Sequence, residues 1–171
     1  MITGVPEIGL LTGAFALVAG LCAAAISSAS PTAGAYPEID GYQPASDIQN
    51  YKVVGKTGVW FTSPLGVRCA IEDDGSYGCS GDLPGAPPGS NEVAWFVGDP
   101  FPRIYHTEAP RFSAPSAHML LTRLTAISYR GSTCAVTAES TVYCIHGDNP
   151  DSQLMVTTAA PLRGRDATRA D

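Results

Sequence analysis

The chain has 171 residues, with 10 Lys and Arg against 16 Asp and Glu, which gives a formal net charge of −6 at pH 7. Nucleic acids and anionic membrane surfaces are bound through basic faces, so this acidic balance argues against both as partners. The length suits a single domain with one core.

The N-terminal region contains an apolar segment. Residues 8–26 (IGLLTGAFALVAGLCAAAI) carry no charge, and Ala33-Gly34-Ala35 follows as a small-x-small cleavage site. We therefore interpret residues 1–35 as a signal peptide, although residues 1–7 lack the usual Lys or Arg. The alternatives are an uncleaved anchor, which would be the protein's contact with a membrane, and a lipid anchor on Cys22.

The chain after residue 36 is predicted to be all-β, because short β-rich runs alternate with Gly, Pro, Asn and Asp clusters. No stretch keeps an apolar 3.6-residue period, and only residues 45–49 are expected to form a helical turn. Strands at this spacing favour a small sandwich or barrel. The predicted strands are 58–62, 67–71, 92–97, 103–106, 125–129, 132–137, 140–145 and 153–158.

The C-terminal residues 161–171 (PLRGRDATRAD) have one Leu and no aromatic residue. We expect them to form a flexible, solvated tail. The predicted exported β domain therefore spans residues 36–160.

Two segments repeat the same cysteine spacing: residues 69–79 are CAIEDDGSYGC and residues 134–144 are CAVTAESTVYC. A Ser-x-x-Gly segment precedes each copy and a Gly-Asp pair follows it, so the repeat units cover about residues 58–83 and 123–149. In the alignment that this suggests, Ser63 corresponds to Ser128.

Each copy is predicted to fold as a β-hairpin whose cysteines lie opposite each other. If Cys22 leaves with the signal peptide, four cysteines remain and allow three pairings, of which the repeat favours Cys69–Cys79 and Cys134–Cys144. Two disulfides in a short chain are typical of exported proteins.

The runs YPEIDGYQPASDIQNYKVV, GVWFTSPLGVRCAI and GSYGCSGDLPGAPPGSNEVAW, together with the second cysteine hairpin, resemble a family of small actinobacterial exported proteins of the mycobacterial type. The resemblance covers residues 36 to about 158. It implies a fold and an exported location, and no catalytic residue is carried over from it. Residues 127–154 also resemble one blade of the chromosome-condensation-regulator propellers, but the chain is too short for a closed propeller.

The sequence contains none of the common catalytic or phosphate-binding motifs. The three histidines, His106, His118 and His146, lack a metal-ligand spacing, and we interpret them as surface residues. The acidic pairs Asp73–Asp74 and Asp148–Asp151 match turns better than a calcium loop. We therefore predict no catalytic residue, no metal and no cofactor.

The proline-rich segment 84–117 is the candidate binding surface, since aromatic side chains give a large contact area. Its candidate residues are Trp95, Phe96, Phe101, Tyr105 and Phe112. In the alternative interpretation, Trp95 and Tyr105 point inward, because Val93, Trp95 and Val97 alternate as in a half-buried strand.

Together these features predict a secreted or cell-envelope protein without catalytic activity, acting as a binding or structural module. Its partner would be an unidentified protein or envelope component. An alternative is a secreted inhibitor of a protease or another enzyme that presents residues 72–76 or 138–140 as a rigid loop. A third hypothesis is a small hydrolase that uses His106 or His146.

Overall fold

The computed structural model describes residues 36–114, 116 and 119–166 of the chain. The signal peptide interpretation, Cys22, His118 and the end of the predicted tail lie outside these residues. Within the described part, no helix is long and apolar enough to cross a membrane.

The described chain forms two six-stranded sheets, which confirms the prediction of an all-β domain. One sheet, here called the N-sheet, has five antiparallel strands in chain order and a sixth, β7, at its edge. Its strands are β2 (Val59–Thr62), β3 (Arg68–Ile71), β4 (Tyr77–Ser80), β5 (Glu92–Trp95), β6 (Arg103–Tyr105) and β7 (Met119–Leu120).

The other sheet, here called the C-sheet, has the same plan. Its antiparallel strands also follow one another in chain order, and β1 lies at its edge. The strands are β1 (Gln43–Pro44), β8 (Thr125–Tyr129), β9 (Ser132–Val136), β10 (Val142–His146), β11 (Leu154–Val156) and β12 (Pro161–Arg163). Two 3-10 turns lie at Ile48–Tyr51 and Pro150–Ser152, and the first is capped by the Asp47 carboxylate, which accepts from Gln49 N at 2.9 Å.

The two sheets exchange their edge strands. Strand β1 precedes the N-sheet strands in the chain but pairs in parallel with β8, and β7 precedes the C-sheet strands but pairs in parallel with β2. Each half of the chain therefore completes the sheet of the other half, so neither sheet is built from one contiguous segment.

The core lies between the sheets and is built from alternate residues of each strand, as the two-residue period of a β-strand requires. The N-sheet contributes to this core Val59, Phe61, Cys69, Ile71, Tyr77, Cys79, Val93 and Trp95. The C-sheet contributes Ile127, Cys134, Val136, Val142, Cys144, Leu154 and Val156.

Both predicted disulfides, Cys69–Cys79 and Cys134–Cys144, are confirmed. Each joins directly opposed residues of neighbouring strands, and all four cysteines are fully buried in the shared core. Such bridges are typical of proteins that mature in an oxidising compartment.

Contacts between the sheets are polar as well as apolar. The Tyr77 hydroxyl of the N-sheet donates to the backbone carbonyl of Ser152, and the Ser132 hydroxyl of the C-sheet donates to Gly75 O at 2.6 Å. Burial raises the pKa of Tyr77 well above its ordinary value, because the phenolate would be desolvated. These bonds fix the tip of the first hairpin against the second sheet.

Before the first cysteine of each hairpin, the residues that correspond in the two sheets are one position away from those that the sequence alignment pairs. Phe61 lies opposite Cys69, whereas Ile127 lies opposite Cys134, because the loop between β2 and β3 is one residue longer than that between β8 and β9. Structurally, Phe61 therefore corresponds to Ile127, and Ser63 corresponds to Tyr129 rather than Ser128.

The ordered domain extends beyond residue 160. Residues 161–163 form β12 along β11, Pro161 is buried, and Gly164 N donates to Gln153 O at 2.7 Å. The predicted tail therefore starts too early. The segment lacks the usual strand signal because it is three residues long and begins with Pro, which an edge strand tolerates at its first position.

Candidate binding groove

The predicted aromatic surface is largely internal. Trp95 is 4% exposed and its ring stacks between Tyr77 and His146, while Phe112 is fully buried. Phe96 and Tyr105 are half-buried, and Phe101 is 50% exposed. The inward orientation of Trp95 agrees with the alternation of β5, so Trp95 and Phe112 cannot contribute to a binding surface of the folded domain.

Phe112 instead covers the outer face of the N-sheet. It belongs to residues 107–114, here called the strap, and packs with Trp60, Ala70 and Ala94 in a second apolar cluster. A Cβ added to Gly78 would lie 2.5 Å from the Phe112 ring. Only glycine at this position of β4 leaves room for the ring.

A buried carboxylate holds the strap in place. Glu92 is 1% exposed and accepts hydrogen bonds from Arg111 N at 2.7 Å, from Phe112 N at 3.3 Å and from the hydroxyls of Ser80 and Tyr105. Burial, followed by the bond to Glu92, raises the pKa of Tyr105. The sequence does not indicate this role, because Glu92 stands at the start of an otherwise apolar run.

The strap also carries a cation. The Arg111 guanidinium pairs with the Glu72 carboxylate, with Nε 2.9 Å from Oε1, and lies 4.9 Å from the Phe96 ring centroid. The hydrogen bond from Arg111 to Glu72 raises the pKa of the guanidinium further, so the charge is permanent. The strap thus places an arginine and a phenylalanine side by side on the sheet.

The C-sheet presents the corresponding outer face with different side chains. From the strand registers, the outer row Trp60, Ala70, Gly78 and Ala94 of the N-sheet corresponds to Ala126, Ala135, Tyr143 and Met155 of the C-sheet. Two exchanges matter: a tyrosine replaces the glycine, and an alanine replaces the tryptophan. The Tyr143 side chain occupies the space that Phe112 fills on the N-sheet. Ala126 leaves the C-sheet without the indole that Trp60 provides on the N-sheet.

A groove of about 790 Å³ lies on this outer face of the C-sheet. Its floor is formed by side chains of β8, β9 and β10, and one wall is the segment that precedes and includes β1. Tyr36 of this wall packs against Tyr143 with the ring centroids 5.6 Å apart. The floor residues are Ala126, Ser128, Thr133, Tyr143 and Ile145.

The groove is acidic. Glu38, Asp40 and Asp148 line it, and no Lys, Arg or His is among the described residues that line it. Burial, followed by the negative charge of Glu38, raises the pKa of Tyr143 to about 12, and the Tyr143 hydroxyl donates to Gln153 Oε1 at 2.7 Å. Burial and the nearby charge of Glu139 also raise the pKa of Tyr42, another lining residue.

The two described histidines have structural contacts. His106 is exposed, with Nδ1 2.8 Å from Gly89 O. His146 is half-buried on the Trp95 ring, with Nδ1 2.8 Å from the Ser132 hydroxyl oxygen. Because that hydroxyl donates to a backbone carbonyl and Ser132 is fully buried, the pair is not arranged as a base and an accessible nucleophile.

The acidic turn residues make local contacts. Asp73 accepts from Gly58 N at 3.0 Å and from the Tyr129 hydroxyl at 2.8 Å, and the bond from Tyr129 lowers its pKa. Asp74 accepts from Ser76 N at 2.8 Å, and Asp151 pairs with Arg165. Among the described residues, no group of three or more metal-ligating side chains is found.

The loops considered for enzyme inhibition are packed against the domain. In residues 72–76, Gly75 and Ser76 are buried and Asp73 is held by the bonds described above. In residues 138–140, only Ala138 and Glu139 are exposed, while Ser140 is buried and accepts from Arg123 Nε at 2.8 Å. Neither loop projects from the domain as an extended segment.

Comparison with protein-family models, curated proteins and solved structures found no match to this chain. A functional assignment therefore rests on the geometry of the domain, in which the groove is a concave feature where aromatic and charged side chains converge.

Proposed function

We propose that the protein is an exported binding module that acts without catalysis, and that its ligand occupies the groove on the C-sheet. One observation carries this proposal: the outer face of the N-sheet is closed by the strap and Trp60, whereas the corresponding face of the C-sheet is open over about 790 Å³. Ligand sites are commonly concave, with aromatic walls and a few polar groups, and their volumes fall in this range.

The matching strand orders and the matching disulfide hairpins support an origin by internal duplication. In this view, one copy acquired the strap and lost its open face, which stabilises the fold. The other copy kept its face open for a ligand.

The exported location, in the secreted fraction or the cell envelope, is supported by three features. These are the two disulfides, the signal-like residues 1–35 and the resemblance to small actinobacterial exported proteins of the mycobacterial type. N-terminal sequencing of the protein recovered from the medium or the envelope tests it, and we expect a mature chain that begins at Tyr36. Recovery of the protein only from the cytoplasm, with reduced cysteines, would refute export.

A ligand screen by NMR tests the site. The oxidised protein is exposed to a library of small fragments and short peptides, and amide shifts are recorded for the floor residues and for the strap. We expect ligands to move the resonances of Ala126, Ser128 and Thr133 and to leave those of the strap unchanged.

The variant Ala126→Trp supplies the control, because it restores on the C-sheet the indole that Trp60 provides on the N-sheet. It should fill the groove and abolish the ligand-induced shifts while the protein remains folded. If ligands bind equally well to Ala126→Trp, or bind only elsewhere, the groove is not the site.

A further inference from the structure

The carboxylates of the groove differ from most others in the domain. Several acidic side chains elsewhere have cationic partners: Glu72 pairs with Arg111, Asp99 with Arg103 and Asp151 with Arg165. Among the residues that the structure describes, no cationic side chain or hydrogen-bond donor is found on the carboxylates of Glu38, Asp40 or Asp148. Like charges around one cavity repel each other, so a cation placed among them is attracted by all three.

The groove also offers aromatic rings beside these charges. Tyr36 and Tyr42 line it together with the carboxylates, whereas the floor residue Tyr143 is 4% exposed. Cations are attracted to the faces of such rings, and the domain uses this contact repeatedly: Lys52 Nζ lies 4.2 Å from the Tyr129 ring centroid, and Arg103 lies 4.8 Å from that of Phe96. The chemistry of the groove therefore favours an ammonium or guanidinium group.

The strap shows what such a face accommodates in this fold. On the N-sheet, Arg111 pairs with a carboxylate and lies over an aromatic ring, and the adjacent Phe112 packs with Trp60. The groove of the C-sheet has carboxylates and tyrosine side chains, Ala126 stands in place of Trp60, and among the described residues no segment like the strap crosses it. The strap is thus an internal example of the kind of segment that fits.

We propose that the ligand of the groove is an extended segment of another protein in which an arginine or lysine stands next to an aromatic residue. This inference rests on the proposed function and specifies its ligand. A segment is favoured over a small cation because the groove has a volume of about 790 Å³ and takes its carboxylates from two parts of the chain, Glu38 and Asp40 before β1 and Asp148 after β10. One small cation would fill little of this volume.

Peptide binding to the whole oxidised protein tests the inference. The probe is a fluorescently labelled, end-capped peptide with the sequence APRFSA, which is that of residues 109–114 of the strap. We expect saturable binding, weakened about tenfold or more when Glu replaces the arginine of the peptide and by a similar factor when Ala replaces its phenylalanine. Raising the salt concentration from about 0.05 to 0.5 M should weaken binding as well, because the Debye length shrinks.

Matched protein variants locate the charge effect. The double variant Glu38→Gln/Asp40→Asn should lower the affinity about fivefold or more, and Asp148→Asn should lower it by a smaller factor. Asp82→Asn is the control, since Asp82 is exposed, lies outside the groove and is likewise neutralised. Equal effects of the groove variants and the control would overturn the inference.

The remaining outcomes separate this inference from the proposed function. Failure of APRFSA to bind, equal binding of its Glu-containing form, or full displacement by spermidine at comparable concentration would overturn the peptide ligand. The proposed function would still stand if the NMR screen found other ligands that Ala126→Trp blocks. If Ala126→Trp affects no ligand at all, both proposals fail.

Discussion

The strap makes a quantitative prediction about Phe112, whose ring is fully buried over Gly78 and 6.1 Å from the Phe96 ring centroid. The variant Phe112→Ala removes the ring but keeps the backbone bond to Glu92 and the ion pair of Arg111. Because these contacts hold the strap in place, the cavity cannot fully collapse. A buried Phe→Ala change costs about 3–5 kcal/mol, and we expect a loss near the middle of that range in the free energy of unfolding.

Urea unfolding followed by circular dichroism measures this loss, with Phe101→Ala as the matched control. Phe101 is 50% exposed, so the control should cost less than about 1 kcal/mol. The slope of the unfolding curve should be the same in both variants, since both retain the fold. If Phe112→Ala were no more costly than Phe101→Ala, the strap would not be part of the packed domain.

Three further predictions concern the core, the outer face and the groove. Replacing both cysteines of either disulfide by Ala should lower the free energy of unfolding by about 2–3 kcal/mol, and equally for both bridges, because each spans a sequence separation of 10; a difference above about 2 kcal/mol in urea unfolding would contradict this. Gly78→Ala should cost about 1–3 kcal/mol in the same assay, because its Cβ would meet the Phe112 ring, whereas Gly41→Ala, with open space around it, should be nearly neutral; similar costs for both would argue against the close contact. The pKa of Tyr143 is raised from 10.0 to about 12, because the folded protein favours the protonated hydroxyl. This preference stabilises the fold below pH 10, and the stabilisation is lost as the pH rises toward 12. Tyr143→Phe should therefore show a smaller loss of unfolding free energy than the wild type between about pH 9 and 11.5, and an equal loss would refute the shift.

The strands and disulfides were predictable from local patterns. Alternating β-branched and aromatic residues located β2, β3, β5, β8, β9 and β10, and the cysteine spacing of the first hairpin placed β4 opposite β3. The repeated cysteine spacing was sufficient for the bridge pairing, because two cysteines that face each other in one hairpin need no information from the rest of the chain. These are contacts between residues close in sequence, which a sequence pattern can encode.

Short strands and the strap were not predictable in this way. Strands β1 and β7 are two residues long and pair with partners in the other half of the chain, so no local alternation marks them. Phe112 was assigned to an exposed surface because it lies in a proline-rich segment. Its burial depends on Gly78, which has no side chain and so leaves room for the ring. This matters only in the folded domain, where the strap crosses β4.

The sequence by itself determined the all-β class and the two hairpin disulfides, because both follow from side-chain alternation and spacing within a few residues. Only the tertiary structure decided which outer face is closed and which is open. That difference depends in part on the strand register, which aligns Trp60 with Ala126 only after a one-residue change in loop length, whereas Gly78 and Tyr143 already correspond in the repeated cysteine segment. A groove is a property of side chains brought together across strands and from the segment before β1, so its charge and shape exist only in the folded domain.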